Sequence, residues 1–261
     1  MKITFVGTSH GLPQKDRYCS CYMIEAGDSI YFVDSGTSFA DAMRDYNKDS
    51  YRLRAVFTTH PHSDHTGGII SGISTLAWRK PDLNFQIWFT SQQIIDAYRQ
   101  YLSATFYCQN GENPTPSIEF CLANIGEIYR DENISVTYFP TGHLDNVGEK
   151  AYGMVIKELK GGGASVLFSG DLSYMLRSND YPQEAYNPHD LFICEMAHFY
   201  PEHIEEYYLK SKVKGLAITH LHPVAEKVPL INDMATRLFY PVKIVADGDV
   251  VEIKNGEATG L

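Results

Sequence analysis

Three histidines and a carboxylate, His60, His62, Asp64 and His65, fall within six positions, directly after the largely apolar run 54–59. Imidazole and carboxylate are the usual nitrogen and oxygen ligands of Zn²⁺ and similar divalent ions. A short run of apolar and β-branched residues ahead of them reads as a buried strand. A strand should therefore end near Thr59, with the four polar groups on the loop that follows, pointing into a cleft.

The rest of the composition sets limits on that reading. A chain of 261 residues can bury a full core, and no linker or charge run divides it, so residues 1–261 are expected to form one domain. The net charge of −10 argues against a broad nucleic-acid footprint, which needs clustered Lys and Arg. Cys19, Cys21, Cys108, Cys121 and Cys194 are an odd number without CxxC spacing. They read as thiols of a reducing compartment, so a cytoplasmic location is expected. Cys19 and Cys21 would share one strand face and are a candidate second metal site. The N-terminal residues read as a first strand rather than a signal segment. No apolar run approaches the ~18 residues that a membrane span needs.

Periodicity and turn chemistry predict the elements. Strands are expected at Ile3–Val6, Cys21–Glu25, Ser29–Asp34, Ala55–Thr59, Ile134–Phe139, Tyr152–Glu158, Ser165–Phe168, Leu191–Cys194, Leu216–Thr219, Lys243–Val245 and Val250–Ile253. Helices are expected at Ser38–Tyr46, Gly67–Trp78, Ser91–Leu102, Pro201–Lys212 and Ile231–Phe239, with a loop from Cys108 to Ser117. Strands fill both halves with helices between them, which suggests two sheets with helices outside, an α/β sandwich. The aromatics between Tyr101 and Tyr107, with Trp78 and Trp88, are read as mostly core, and Tyr107 as a candidate to stack on a substrate ring.

Three later residues each close an apolar strand: His143 after 136–142, Asp171 after 165–170 and His220 after 215–219. Together with the first cluster they make five histidines and two carboxylates. Seven ligands are too many for one tetrahedral ion but suit two ions that share a bridge. This order of motifs closely resembles the metallo-β-lactamase superfamily, along nearly the whole chain. The resemblance implies an α/β metallo-β-lactamase αββα sandwich of two mixed sheets. It also implies that His60, His62 and His143 hold one metal, and Asp64, His65 and His220 the other, with Asp171 bridging. Asp34, at the end of 31–34, resembles the family's early strand-end aspartate and would orient the histidine loop from behind. His222 competes with His220 for the last ligand place; His220 follows the strand directly, so His222 is expected at the cleft rim.

The opening segment 6–20 looks like that of tRNase Z-like phosphodiesterases, and 192–199 is similar to their His-Glu-Ala-Thr-Phe segment. Here Cys194 replaces that histidine and His198 stands at the threonine. The tRNA-gripping arm of those enzymes would lie between His143 and Asp171, where this chain has only 27 residues (144–170). The compact spacing looks more like the cyclic-phosphate phosphodiesterases of the same branch. The implied function is a dinuclear hydrolase of a small phosphodiester or cyclic nucleotide, acting through a metal-bridging hydroxide. A lactone, ester or thioester hydrolase is the alternative; a tRNA 3′-processing endonuclease and a non-catalytic metal-binding module rank below both. Two divalent ions, Zn²⁺ before Fe or Mn, would be the cofactors, the substrate a small molecule, and a homodimer is implied. Asp64 and Asp171 would orient the water. His198, or else His222, would protonate the leaving group. His10 is expected near the cleft, and His189 and His203 at the surface.

Overall fold

A computed structural model describes residues 1–12, 14–80, 82–105 and 117–261. The expected loop 108–116 and the proposed stacking residue Tyr107 lie outside the described residues. The N-terminal half runs β1 (Lys2–Gly7), β2 (Cys21–Ala26), β3 (Ser29–Ser35), α1 (Phe39–Asp45), β4 (Leu53–Phe57), α2 (Ser63–Thr66), α3 (Ile69–Arg79), β5 (Asn84–Phe89), α4 (Gln92–Thr105) and β6 (Ser117–Leu122). The second half runs β7 (Gly126–Arg130), β8 (Ile134–Thr141), β9 (Ala151–Glu158), β10 (Ser165–Phe168), β11 (Leu191–Met196), α5 (Pro201–Tyr208), β12 (Leu216–Leu221), α6 (Val224–Ala235), β13 (Val242–Ile244), β14 (Val250–Lys254) and β15 (Glu257–Thr259).

The strands form two mixed sheets, ordered β15-β14-β1-β2-β3-β4-β5-β6 and β13-β12-β11-β10-β9-β8-β7. Alternate residues of each strand face the other sheet. Ile3, Phe5, Tyr31, Val33 and Phe57 of the first sheet share one core with Val136, Tyr138, Met154 and Phe168 of the second. The opposite face of the first sheet packs on α1, α3 and α4, and that of the second on α5 and α6. Two hydrogen bonds lock the sheets near the histidine loop: Tyr138 donates to the Thr58 carbonyl and the Tyr152 amide to that of Thr59. No helix of the described residues is long and apolar enough to cross a membrane.

Several expectations need correction. The last helix lies at Val224–Ala235 rather than 231–239. It starts directly after Pro223 and accommodates Pro229, a residue that reads as a breaker because it lacks an N–H. Helix α5 stops at Tyr208, four residues early. Strands β5, β6, β7 and β15 were not expected; β6 and β7 are edge strands whose mixed exposure gives weak alternation. Trp78 is not core but 71% exposed, on the outer side of α3. His189 is not at the surface: it is buried, accepting from the Ser165 hydroxyl and donating to the Glu184 carbonyl.

Candidate metal centre

Strands β3 and β4 run parallel, as do β10, β11 and β12, so their C-terminal ends gather at one edge of the sandwich. That edge is where open α/β sheets present ligands. Asp34 ends β3, His60 follows β4, His143 follows β8, Asp171 follows β10, and His220 lies at the end of β12. Asp34 and His220 both have positive φ, 55° and 48°. Such strained backbone is held where the surrounding structure over-determines it.

The close approach of the loop has a local cause. A Cβ on Gly36 would sit 1.8 Å from the Asp64 carbonyl oxygen, so only glycine lets α2 settle against the end of β3. Tyr98 of α4 donates to the Thr66 carbonyl and holds the far end of α2.

Hydrogen bonds fix which ring nitrogen of each histidine faces the cleft. Asp34 accepts from the Thr59 amide at 2.8 Å and from His65 Nδ1 at 2.7 Å. A carboxylate only accepts, so Nδ1 of His65 carries a proton, and Nε2 is turned to the cluster. The Thr59 hydroxyl donates to Asp34, which leaves its oxygen to accept from His60 Nδ1 at 3.0 Å. Nδ1 of His143 donates to the Leu172 carbonyl and Nδ1 of His220 to the Ser20 hydroxyl. In all four rings Nε2 is left to face the cluster. Such outer partners set the tautomer and orientation of metal-binding histidines.

The freed atoms meet. His60 Nε2 lies 3.0 Å from His62 Nδ1, and His143 Nε2 lies 3.4 Å from that same atom. Asp171 faces all of them, 3.8 Å from the Nε2 of His60 and of His143, 3.6 Å from that of His65 and 3.4 Å from that of His220. Asp64 is 3.3 Å from His65 Nε2 and 3.7 Å from His220 Nε2. Four overlapping groups could each hold a cation: His60, His62 and His143; Asp64, His65 and His220; His60, His65 and Asp171; and His143, Asp171 and His198. His65 Nε2 is buried and has no hydrogen-bond partner among the described residues. Ring nitrogens facing one another and an orphaned buried one fit divalent ions of the Zn²⁺ type, whose ligands are these donors. No cysteine joins such a group among the described residues; Cys21 is buried and Cys19 half-buried.

The remaining candidates occupy separate places on the rim. His198 Nδ1 lies 2.8 Å from Glu195 and 3.9 Å from Asp171, and its ring centre is 4.7 Å from that of His143. Burial opposes its charge, but the Glu195 carboxylate prevails and lifts the His198 pKa to about 9. Elsewhere on the rim His222 is exposed and stacks on buried His10, ring centres 4.0 Å apart. Burial, with His222 next, pushes the His10 pKa down to about 4. Its Nδ1 accepts from the Leu12 amide.

Glu195 is the residue that sequence reasoning passed over. It is buried, and it accepts from the amides of Leu172, Ala197 and His198 as well as from the His198 ring. The signal was its place at a strand end, three residues before His198. Thr59 and Ser20 were also missed as partners of the histidines.

A family profile described as Anti-Pycsar protein Apyc1 matches residues 1–207. Ribonuclease Z of Methanocaldococcus jannaschii is 25% identical over 162 residues, 61% of this chain and 48% of its own length. The chain spans about half the length of the curated relatives it matches. Among solved structures, the metallo-β-lactamase fold protein YhfI from Bacillus subtilis aligns with 96% of this chain and 99% of its own, at 21% identity and TM-score 0.69. The short form of human tRNase Z aligns over 97% and 99%, at 16% identity and TM-score 0.70. The fold is thus that of the metallo-β-lactamase hydrolases, and the matched profile shows that the chain belongs to the Anti-Pycsar protein Apyc1 family.

Proposed function

We propose that this chain is a two-metal hydrolase of a small phosphodiester, a cyclic nucleotide being the favoured class. His60, His62 and His143 would hold one ion and Asp64, His65 and His220 the other, with Asp171 shared between them. Zn²⁺ suits the donor set, and Fe or Mn would also accept it. Bound ions of this kind acidify water and offset charge on a phosphoryl oxygen.

The chain's own residues account for the rest. Asp64 and Asp171 point their oxygens into the cluster and can take a proton from the attacking water. Departure of an alkoxide needs a proton, and His198 is the donor. The observation that carries this reading is the His198–Glu195 contact, 2.8 Å, at the lip of the ligand cluster. Glu195 takes Nδ1 of the ring, and Nε2 has no hydrogen-bond partner among the described residues. His222 has no such partner among the described residues, which makes it the weaker candidate.

Size of substrate follows from residues 144–170. They form little more than the β9–β10 hairpin, and no long arm projects from them to grip a folded RNA. A ribonuclease reading draws on the ribonuclease Z relatives and is the second one to test. Cores shared between both sheets support treating residues 1–261 as one domain.

The test is hydrolysis by metal-loaded protein of cyclic nucleotides, bis-p-nitrophenyl phosphate, a lactone panel and a precursor tRNA. Turnover of phosphodiesters, lost on chelation and restored by Zn²⁺ or Mn²⁺, is the expected result. Turnover confined to lactones, or to precursor tRNA, would overturn the proposal.

A further inference from the structure

We propose that Lys227 is a positioning residue whose buried ammonium clamps the turn that aims His198 at the metal cluster. This deepens the function proposed above and rests on the reading of His198 as proton donor.

The turn runs from Glu195 to His198, and its backbone groups divide between two partners. The amides of Ala197 and His198 donate to the Glu195 carboxylate at 2.6 and 3.2 Å. The carbonyls on the other side, those of Met196 and Ala197, accept from Lys227 Nζ at 2.7 and 2.9 Å. The next carbonyl, of His198, accepts from the Met175 amide. Glu195 and Lys227 thus hold the same turn from opposite sides. The Tyr200 ring closes over the ammonium, 4.6 Å from its centre.

Lys227 is 1% exposed, and its ammonium donates to two backbone carbonyls. Burial pushes its pKa down to about 8. A buried ammonium is expensive unless its hydrogen bonds are satisfied. An apolar residue of similar length would avoid that cost, so the contacts of Nζ are the reason for a lysine here. Lys227 stands on α6, the helix entered directly from His220 and His222. Lys227 lies in the first turn of that helix, so the donor's turn is clamped just after the strand that carries His220. The clamp sets the spacing of His198 from the cluster, and misplacement by about 1 Å can cost a reaction ~10²-fold.

The test compares Lys227→Met, which keeps the stem and removes the donor, with wild type. On a phosphodiester with an unactivated alkoxide leaving group, kcat should fall about 10- to 100-fold with KM little changed. On bis-p-nitrophenyl phosphate, whose leaving group needs no proton, the rate should hold. Metal content should be unchanged. The ring ¹⁵N signals of His198, identified by their loss in His198→Ala, should shift or broaden in Lys227→Met. Lys227→Arg, which restores donors, should recover both signals and rate. Unperturbed His198 signals in Lys227→Met overturn the clamp. So do equal losses on both substrates, which would mark a general structural role. If the Met variant does not fold, Lys227→Gln is read the same way. Should His198→Ala prove insensitive to the leaving group, the donor reading fails, while the ring signals still decide the clamp.

Discussion

Two places on the rim of the cleft offer the same side chain in different states. On one, His198 is tied through Nδ1 to the buried carboxylate of Glu195, and its turn is held by Lys227 and Met175. On the other, His222 is exposed and touches buried His10 mainly through ring stacking. Both lie just past a strand end beside the cluster, and the sequence offered both, His198 first. The difference is the partner. A carboxylate behind an imidazole fixes its tautomer and favours its protonated form.

That contrast can be broken experimentally. The largest effect is expected for His198→Ala, a ~10²- to 10⁴-fold loss of kcat on an unactivated phosphodiester. Steady-state kinetics on the metal-loaded protein would show it, and an equal loss in His222→Ala would abolish the distinction between the two places. Behind the cluster, Asp34→Asn should weaken metal binding about 10- to 100-fold, because the tautomers of His65 and His60 are both set through Asp34. Competition against a chelator of known affinity measures that directly. Metal removal should lower the melting temperature, since ions bind only the folded site; about 2.7 kcal/mol is at stake at hundredfold saturation. Unchanged melting after chelation would mean that the cluster does not hold ions. A smaller loss, under about 10-fold in kcat, is expected for His222→Ala.

The smallest effect uses a histidine away from both places. Burial of His189 lowers its pKa below the usual 6.5, against the opposing hydrogen bond to the Glu184 carbonyl. The unfolded chain then binds the extra proton, so stability should fall as pH drops through 6.5 and below. His189→Gln should flatten that part of the profile in denaturant titrations; an unaltered slope would remove His189 as its source.

Local patterns carried much of the fold. Alternating or continuous apolar runs located β1 to β4 and β8 to β12, because a strand in the core must hide its side chains with a period of two. Ser38, where the first helix was expected to begin, caps α1, accepting from the Asp41 amide. The same logic failed where burial is partial. Edge strands β6 and β7 show mixed exposure, and α6 runs through Pro229 because packing on the second sheet outweighs one missing backbone donor.

What the sequence determined by itself was the inventory: a compact run from His60 to His65, and His143, Asp171 and His220 at the ends of apolar runs, in family order. Spacing along the chain can announce ligand-type groups because each sits at the end of its own strand. What only the tertiary structure decided was which atoms meet. Nε2 of His60 and Nδ1 of His62 face each other because the Thr59 hydroxyl, itself donating to Asp34 of a neighbouring strand, binds the opposite side of the first ring. Glu195 and Lys227 distinguish His198 from His222, and they come from two different elements of the second sheet's layer. The Lys227 contacts join residues 31 and 30 positions apart, a pairing with no local signature, so they become visible only when the strands are assembled.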